Sequence, residues 1–228
     1  MQRVKKKASK QEVLSLLDPL IAEWFDSRFD GLTEPQSYAI PLIHERKSVL
    51  VSSPTGSGKT LTAFLWALNQ LITGEYPRGR CSVLYVSPLK ALNNDIQRNL
   101  LAPLAELTRR FRDAGRNAPE LAVLTRSGDT PPHERQRMVR RPPDILITTP
   151  ESLSIMLSSP RARMLFAGLQ TVILDEIHAV AGAKRGTHLI TSVERIVPMA
   201  GEFQRIALSA TVRPLETIAA FVGGYRAI

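Results

Sequence analysis

The 228 residues carry 30 Lys and Arg against 21 Asp and Glu, with 4 His and a single Cys. One cysteine excludes a disulfide framework and a cysteine zinc cluster, the 43% hydrophobic and 22% charged content excludes a disordered chain, and no run reaches the ~20 apolar residues of a membrane span. The net charge of +9 favours a polyanionic partner, and with no signal-peptide pattern at the start the expectation is a soluble, cytoplasmic protein.

Five of the positive charges (Arg3, Lys5, Lys6, Lys7, Lys10) sit in the first ten residues without an acid among them. Residues 1–11 read as a basic, solvated, disordered tail. Asp18-Pro19 has the form of an N-cap with proline at the first helical position, followed by Leu20, Ile21, Trp24 and Phe25 on one side. SVLVSS (48–53) is the first of six short aliphatic runs. The others are SVLYVS (82–87), ELAVLT (120–125), DILITT (144–149), TVILDE (171–176) and RIALSA (205–210). Between them, Leu61, Phe64, Leu65, Leu68 and Leu71 recur at helical spacing and end at Gly74. Leu92, Ile96, Leu100, Leu104, Leu107 and Phe111 form a second stripe, which Pro103 is expected to kink or split. Residues 126–143, with two glycine- and proline-rich ends around an Arg-rich stretch, read as a loop plus a short helix. Leu189, Ile190, Val193, Ile196 and Val197 form a third stripe, expected to stop at Pro198. Apolar strands alternating with helices predict an α/β fold, one domain with a mostly parallel sheet covered by helices on both faces.

The stretch SSPTGSGKT (52–60) follows a strand and opens a helix, the context that a phosphate-binding loop requires. Glycines let the backbone curl so that successive N–H groups point at phosphate oxygens, and the helix N-terminus adds its positive dipole end. Lys59 is placed to reach the β- and γ-phosphates and Thr60 to ligate Mg²⁺. Ser53 stands where the strict pattern has glycine, away from the tightest curvature at Gly56 and Gly58. TVILDEIH (171–178) supplies the metal partner: Asp175 to hold Mg²⁺ through water, Glu176 to orient and deprotonate the attacking water.

These two motifs occur in a longer order: LTEPQ (32–36), PTGSGKT (54–60), SPLKALNND (87–95), SGDT (127–130), TTPES (148–152), DEIH (175–178) and SAT (209–211). In this the chain resembles the first RecA-like domain, a P-loop NTPase fold, of a superfamily 2 helicase over residues 12–224. The wording SPLKALNND and DEIHAVAGAKRG is most similar to the large helicase-related (Lhr) proteins, ATP-dependent 3′-to-5′ nucleic-acid translocases. The resemblance implies that Gln36 reads adenine, and Thr33-x-x-Gln36 is at the same time a helix capping box. Phe29 or Phe25 is a candidate to stack on the base. Thr55, Gly56, Ser57, Gly58, Lys59 and Thr60 match the triphosphate loop, Lys59 being expected to face solvent when no nucleotide is bound. His178 is expected to link the ATP site to Ser209 and Thr211.

Three strand-ending segments suit a phosphodiester backbone. They offer Pro88, Lys90, Asn93 and Asn94; Arg126, Gly128, Asp129 and Thr130; and Thr148, Thr149 and the helix start at Pro150-Glu151. The same residue types also build turns and caps. Arg135, Arg137, Arg140, Arg141 and Lys184-Arg185 either add electrostatic attraction or form solvated faces. The expected partners are single-stranded nucleic acid, DNA before RNA, and a second RecA-like domain. No arginine-finger motif follows SAT before Ile228. The expected function is therefore the ATP-binding half of a helicase motor, using ATP and Mg²⁺ and weak or inactive alone. A non-catalytic, nucleotide-dependent nucleic-acid-binding module is the alternative.

Overall fold

The computed structural model describes residue 4 and residues 6–88 and 93–224. Among them six strands form one sheet: β1 (Val49–Ser52), β2 (Val83–Val86), β3 (Val123–Arg126), β4 (Ile145–Thr148), β5 (Thr171–Leu174) and β6 (Gln204–Ser209). Their order is β1-β6-β5-β2-β4-β3, and every pair is parallel. All six predicted runs are strands. The mostly parallel expectation sharpens to an all-parallel sheet.

Ten helices are described. The first six are α1 (Lys10–Leu14), α2 (Pro19–Arg28), α3 (Glu34–His44), α4 (Lys59–Ile72), α5 (Asn93–Ile96) and α6 (Ala102–Asp113). Together with α7 (Pro132–Arg140), α8 (Pro150–Ser158), α9 (Lys184–Ala200) and α10 (Leu215–Gly223) they cover the two faces of the sheet. Alternation along the strands sorts side chains between two cores. Val83 and Tyr85 pack with α1–α6, whereas Leu84 and Val86 pack with α7–α10. Both faces are apolar, which is why the strands read as continuous aliphatic runs.

Local signals act where predicted. Asp18 Oδ1 accepts the Leu20 N–H at 3.0 Å and caps α2. α4 starts at Lys59 because Gly58, at φ +83°, turns the loop into the helix. Helix α4 is buried nearly all round, so its apolar stripe is the visible part of a core helix.

Three expectations change. The tail boundary at residue 11 falls inside α1, where Ser9 Oγ accepts the Glu12 N–H at 3.2 Å and Lys10 pairs with Asp26 at 2.6 Å. Pro103 does not break the second stripe. A π turn over Gln97–Leu101 precedes α6, with the Ala102 N–H bonded to the Gln97 carbonyl, and the helix continues through the proline. Pro198 does not stop α9, which runs to Ala200 and closes at Gly201 (φ +75°). A proline in the last turn removes one backbone bond, and buried Val193 and Ile196 hold the helix down.

Gly186 has a steric role in the first turn of α9. A Cβ there would lie 2.1 Å from the Val180 carbonyl oxygen, in the turn that follows DEIH. Gly186→Ala is expected to destabilise the protein by about 1–3 kcal/mol, read as a lower midpoint in urea unfolding.

Candidate nucleotide and nucleic-acid site

Because β1 and β5 flank β6, SSPTGSGKT, DEIH and SAT leave the sheet at the carboxyl ends of adjacent strands. A cleft of about 400 Å³ opens there, lined by Gln36, Thr55, Gly56, Gly58, Lys59, Thr60, Asp175 and Glu176 together with Phe29 and Arg98. A larger groove, about 980 Å³, follows the free edge of β1 and contains none of Gln36, Lys59 and Asp175. The polar cleft is the site.

Gly56 and Gly58 take φ +82° and +83°, the left-handed turns that glycine permits. Lys59 departs from expectation. It is 6% exposed, and its ammonium donates to the Ser53 carbonyl at 2.6 Å and the Pro54 carbonyl at 2.8 Å. The lysine stem lies along its own loop, whose carbonyls take the charge. Burial pushes the Lys59 amine below its ordinary value, and the charges of Glu176 and Asp175 oppose that shift. Ser57 turns back to Ser53, Oγ to Oγ at 2.6 Å.

Asp175 is 6% exposed at the end of β5. Its Oδ1 accepts the Glu176 N–H at 2.8 Å, and its Oδ2 accepts the Tyr85 hydroxyl. Burial raises the Asp175 carboxyl above the usual range, while these two donors and Lys59 pull it back. Burial, and then the Asp175 charge, push the Tyr85 phenol far up. Glu176 adopts φ +49°, a strained conformation for a residue with a side chain, and such strain clusters at functional sites. Thr60 and Asp175 offer hard oxygen donors in one cleft. Among the described residues no cluster of three or more His, Cys, Asp or Glu could hold a metal by itself. That donor set fits Mg²⁺, which uses one or two carboxylates with water and phosphate oxygens.

His178 joins the cleft to SAT, but not through the predicted atoms. Its Nδ1 accepts the Ala210 N–H at 3.1 Å, and its Nε2 lies 3.2 Å from Glu176 Oε2. An acceptor at Nδ1 places the proton of the neutral ring on Nε2, facing Glu176. Ser209 is buried and donates to the Ala210 carbonyl at 2.9 Å. Thr211 is exposed and lines the β1-edge groove. The backbone between the two predicted residues makes the contact.

Gln36 is 2% exposed. Its Oε1 accepts the Thr33 N–H at 2.8 Å, and its Nε2 faces the phosphate loop close to Gly58. Gln36 therefore serves the turn and borders the cleft at once. Of the two candidate aromatics, Phe25 is sealed in the core and Phe29 lines the cleft.

The other half of the sheet, β2-β4-β3, carries the three candidate nucleic-acid segments side by side. Several predicted contact residues hold the loops from inside instead. Pro88, Arg126, Thr149 and Pro150 are buried. Thr149 Oγ1 caps α8 by accepting the Ser152 N–H at 3.4 Å. The Glu151 carboxylate is occupied by a two-pronged ion pair with Arg185. Gly128 and Asp129 are exposed. Arg135 is not a solvated charge: it donates to the Thr130 carbonyl at 2.6 Å and the Gly128 carbonyl at 2.7 Å, clasping the SGDT turn. Arg137, Arg140 and Arg141 are exposed beside it. Lys90 lies outside the described residues, as do the side chains of Asn93 and Asn94. Sequence reasoning missed Tyr85 and the clasp of Arg135; the one signal was a lone phenol in an aliphatic strand, whose hydroxyl needs a partner when buried.

Lys59→Ala is expected to weaken binding of a fluorescent ATP analogue by about 10–100-fold, the loss of one charged hydrogen-bonding group. Unchanged affinity in that titration would remove Lys59 from the site. Arg135→Ala is expected to weaken single-stranded oligonucleotide binding several-fold, about 1 kcal/mol, by fluorescence anisotropy, with Arg135→Lys failing to restore it because lysine has no two-pronged fork.

Residues 33–218 match the family of DEAD/DEAH box helicases. The chain is 50% identical over 218 residues to the ATP-dependent helicase Lhr-Core of Methanothermobacter thermautotrophicus, covering 94% of this chain and 25% of that protein. It is 47% identical over 221 residues to the Lhr helicase/uracil glycosylase of Escherichia coli, covering 93% and 14%. The solved structure of Mycobacterium smegmatis helicase Lhr bound to ssDNA and AMP-PNP superposes with a TM-score of 0.88 at 49% identity, over 94% of this chain and 27% of that one. The chain thus spans about a quarter or less of the length of these relatives. With its phosphate loop, acidic pair and histidine gathered at one end of an all-parallel RecA-like sheet, it belongs to the DEAD/DEAH box helicases as a helicase core domain of the Lhr type.

Proposed function

We propose that this domain is the ATP-binding half of a motor that moves 3′-to-5′ on single-stranded nucleic acid, DNA before RNA, in company with a second RecA-like domain. The carrying observation is the convergence of Lys59, Thr60, Asp175 and Glu176 on one cleft, beside strand ends suited to a phosphodiester backbone. The similar Mycobacterium smegmatis helicase Lhr was solved bound to ssDNA and AMP-PNP, which supports the same ligands here.

In this reading Lys59 exchanges its two loop carbonyls for phosphate oxygens, a like-for-like trade of acceptors. N–H groups around Gly56 and Gly58 take the remaining phosphate oxygens. Thr60 and Asp175 would hold Mg²⁺, which when bound would supply positive charge beside the transferred phosphoryl group. Glu176 takes the proton of the attacking water and His178 Nε2 steadies its carboxylate. Displacement of Glu176 would reach the Ala210 backbone through the imidazole, and so the SAT segment. Gln36 and Phe29 hold the base. Arg137, Arg140 and Arg141 attract the polymer, and binding then weakens with salt. An arginine finger from a partner domain is worth about 10³–10⁵ in rate, so the isolated domain binds ATP and turns it over very slowly.

The test is ATP turnover with and without single-stranded DNA or RNA, for this chain and for a two-domain protein. Binding without turnover is expected from the chain alone, and stimulated turnover from the two-domain form. Stimulated turnover by the chain alone would overturn the half-motor reading. In the two-domain form, Glu176→Gln is expected to keep Mg²⁺–ATP binding and lower hydrolysis by about 10²–10⁴; a wild-type rate would remove Glu176 from catalysis.

A further inference from the structure

We propose that Tyr85 is a positioning residue for Asp175, orienting its carboxylate for Mg²⁺ and tying the nucleotide half of the sheet to the nucleic-acid half. The inference rests on the ATP–Mg²⁺ reading above and goes beyond it by adding a residue that lies in neither motif.

The geometry is specific. β2 and β5 are neighbours, with Tyr85 beside Ile173, two residues before Asp175. The Tyr85 side chain is fully buried, and Phe64 stacks on its ring with centroids 5.0 Å apart and planes at 26°. The ring has no room to swing, so its hydroxyl is a fixed donor. It bonds Asp175 Oδ2 while the Glu176 N–H bonds Oδ1. One donor on each oxygen fixes the plane of the carboxylate, which a single donor leaves free to rotate about the Cβ–Cγ bond. Asp175 itself lines the cleft. Mg²⁺ demands near-ideal octahedral geometry, and partners that orient a metal's carboxylate commonly matter 10–100-fold, by order of magnitude, for metal affinity or activity.

The bond also crosses a boundary. β5 belongs to the nucleotide half, with β1 and β6, and β2 to the half that carries the candidate nucleic-acid segments. Tyr85 stands two residues before Ser87, where SPLKALNND begins. A shift of that segment along β2 reaches the metal carboxylate through one rigid ring.

The experiment titrates Mg²⁺ into the chain with a fluorescent ATP analogue, after an EDTA baseline, for wild type and Tyr85→Phe. Phenylalanine keeps the stack and removes the donor. The expected result is an unchanged affinity in EDTA and a Mg²⁺ midpoint raised about tenfold. A wild type that shows no Mg²⁺-dependent tightening overturns the ATP–Mg²⁺ reading itself. A normal wild-type response with the same midpoint in Tyr85→Phe overturns only the role of Tyr85. If Tyr85→Phe loses the EDTA baseline through misfolding, Phe64→Leu is read instead. It keeps the hydroxyl but frees the ring, and an unchanged midpoint there overturns the proposal.

Discussion

A carboxylate that must stay charged where water is scarce is the constraint on which the cleft is built. Asp175 ends a strand covered on both faces, and burial alone drives it toward its neutral form. Three groups oppose that drive: the Tyr85 hydroxyl, the Glu176 N–H and the Lys59 ammonium. The Glu176 N–H comes from the next residue along the chain, whereas the order of the sheet brings Tyr85 and Lys59 to the carboxylate. Lys59 has the converse problem, a buried cation, and answers it with two carbonyls of its own loop. The two ions are held apart by their separate partners yet share one cleft.

The sheet divides by task. Strands β1, β6 and β5 present the phosphate loop, the SAT segment and the acidic pair; β2, β4 and β3 present the segments suited to a polymer. Links between the halves are direct contacts. Tyr85 meets Asp175 at the centre, and Arg185 at the start of α9 pairs with Glu151 at the start of α8. Asp95, the last residue of SPLKALNND, and Arg98 and Asn99 in the stretch just after it also line the nucleotide cleft. A π turn over Gln97–Leu101 keeps that stretch helical while shifting its register. The close fit of Gly186 under the Val180 carbonyl seats α9 against the DEIH turn, so Arg185 is delivered by backbone packing.

Legibility followed the range of the forces involved. Strands buried on both faces write themselves as aliphatic runs, and all six were readable. The Asp18-Pro19 cap and the curl at Gly56 and Gly58 depend on adjacent residues and were readable too. Pro198 misled because local propensity weighs less than the core contacts of Val193 and Ile196. The tail boundary misled because a run of lysines hides a capping box at Ser9 and Glu12. Phe25 and Phe29 were indistinguishable by spacing; burial separated them.

Residue types and order by themselves determined the fold class, the phosphate loop and the acidic pair, because those depend on periodicity and on contacts within a few positions. Tertiary structure decided which atoms do the joining. Thr149, Pro150 and Arg126 turned inward to hold loops, Glu151 was claimed by Arg185, and His178 met a backbone N–H rather than a hydroxyl. Tyr85 and Asp175 are ninety residues apart in sequence. Nothing local connects them, and they meet because parallel strands β2 and β5 pair in one register that sets the buried Tyr85 hydroxyl against Asp175 Oδ2.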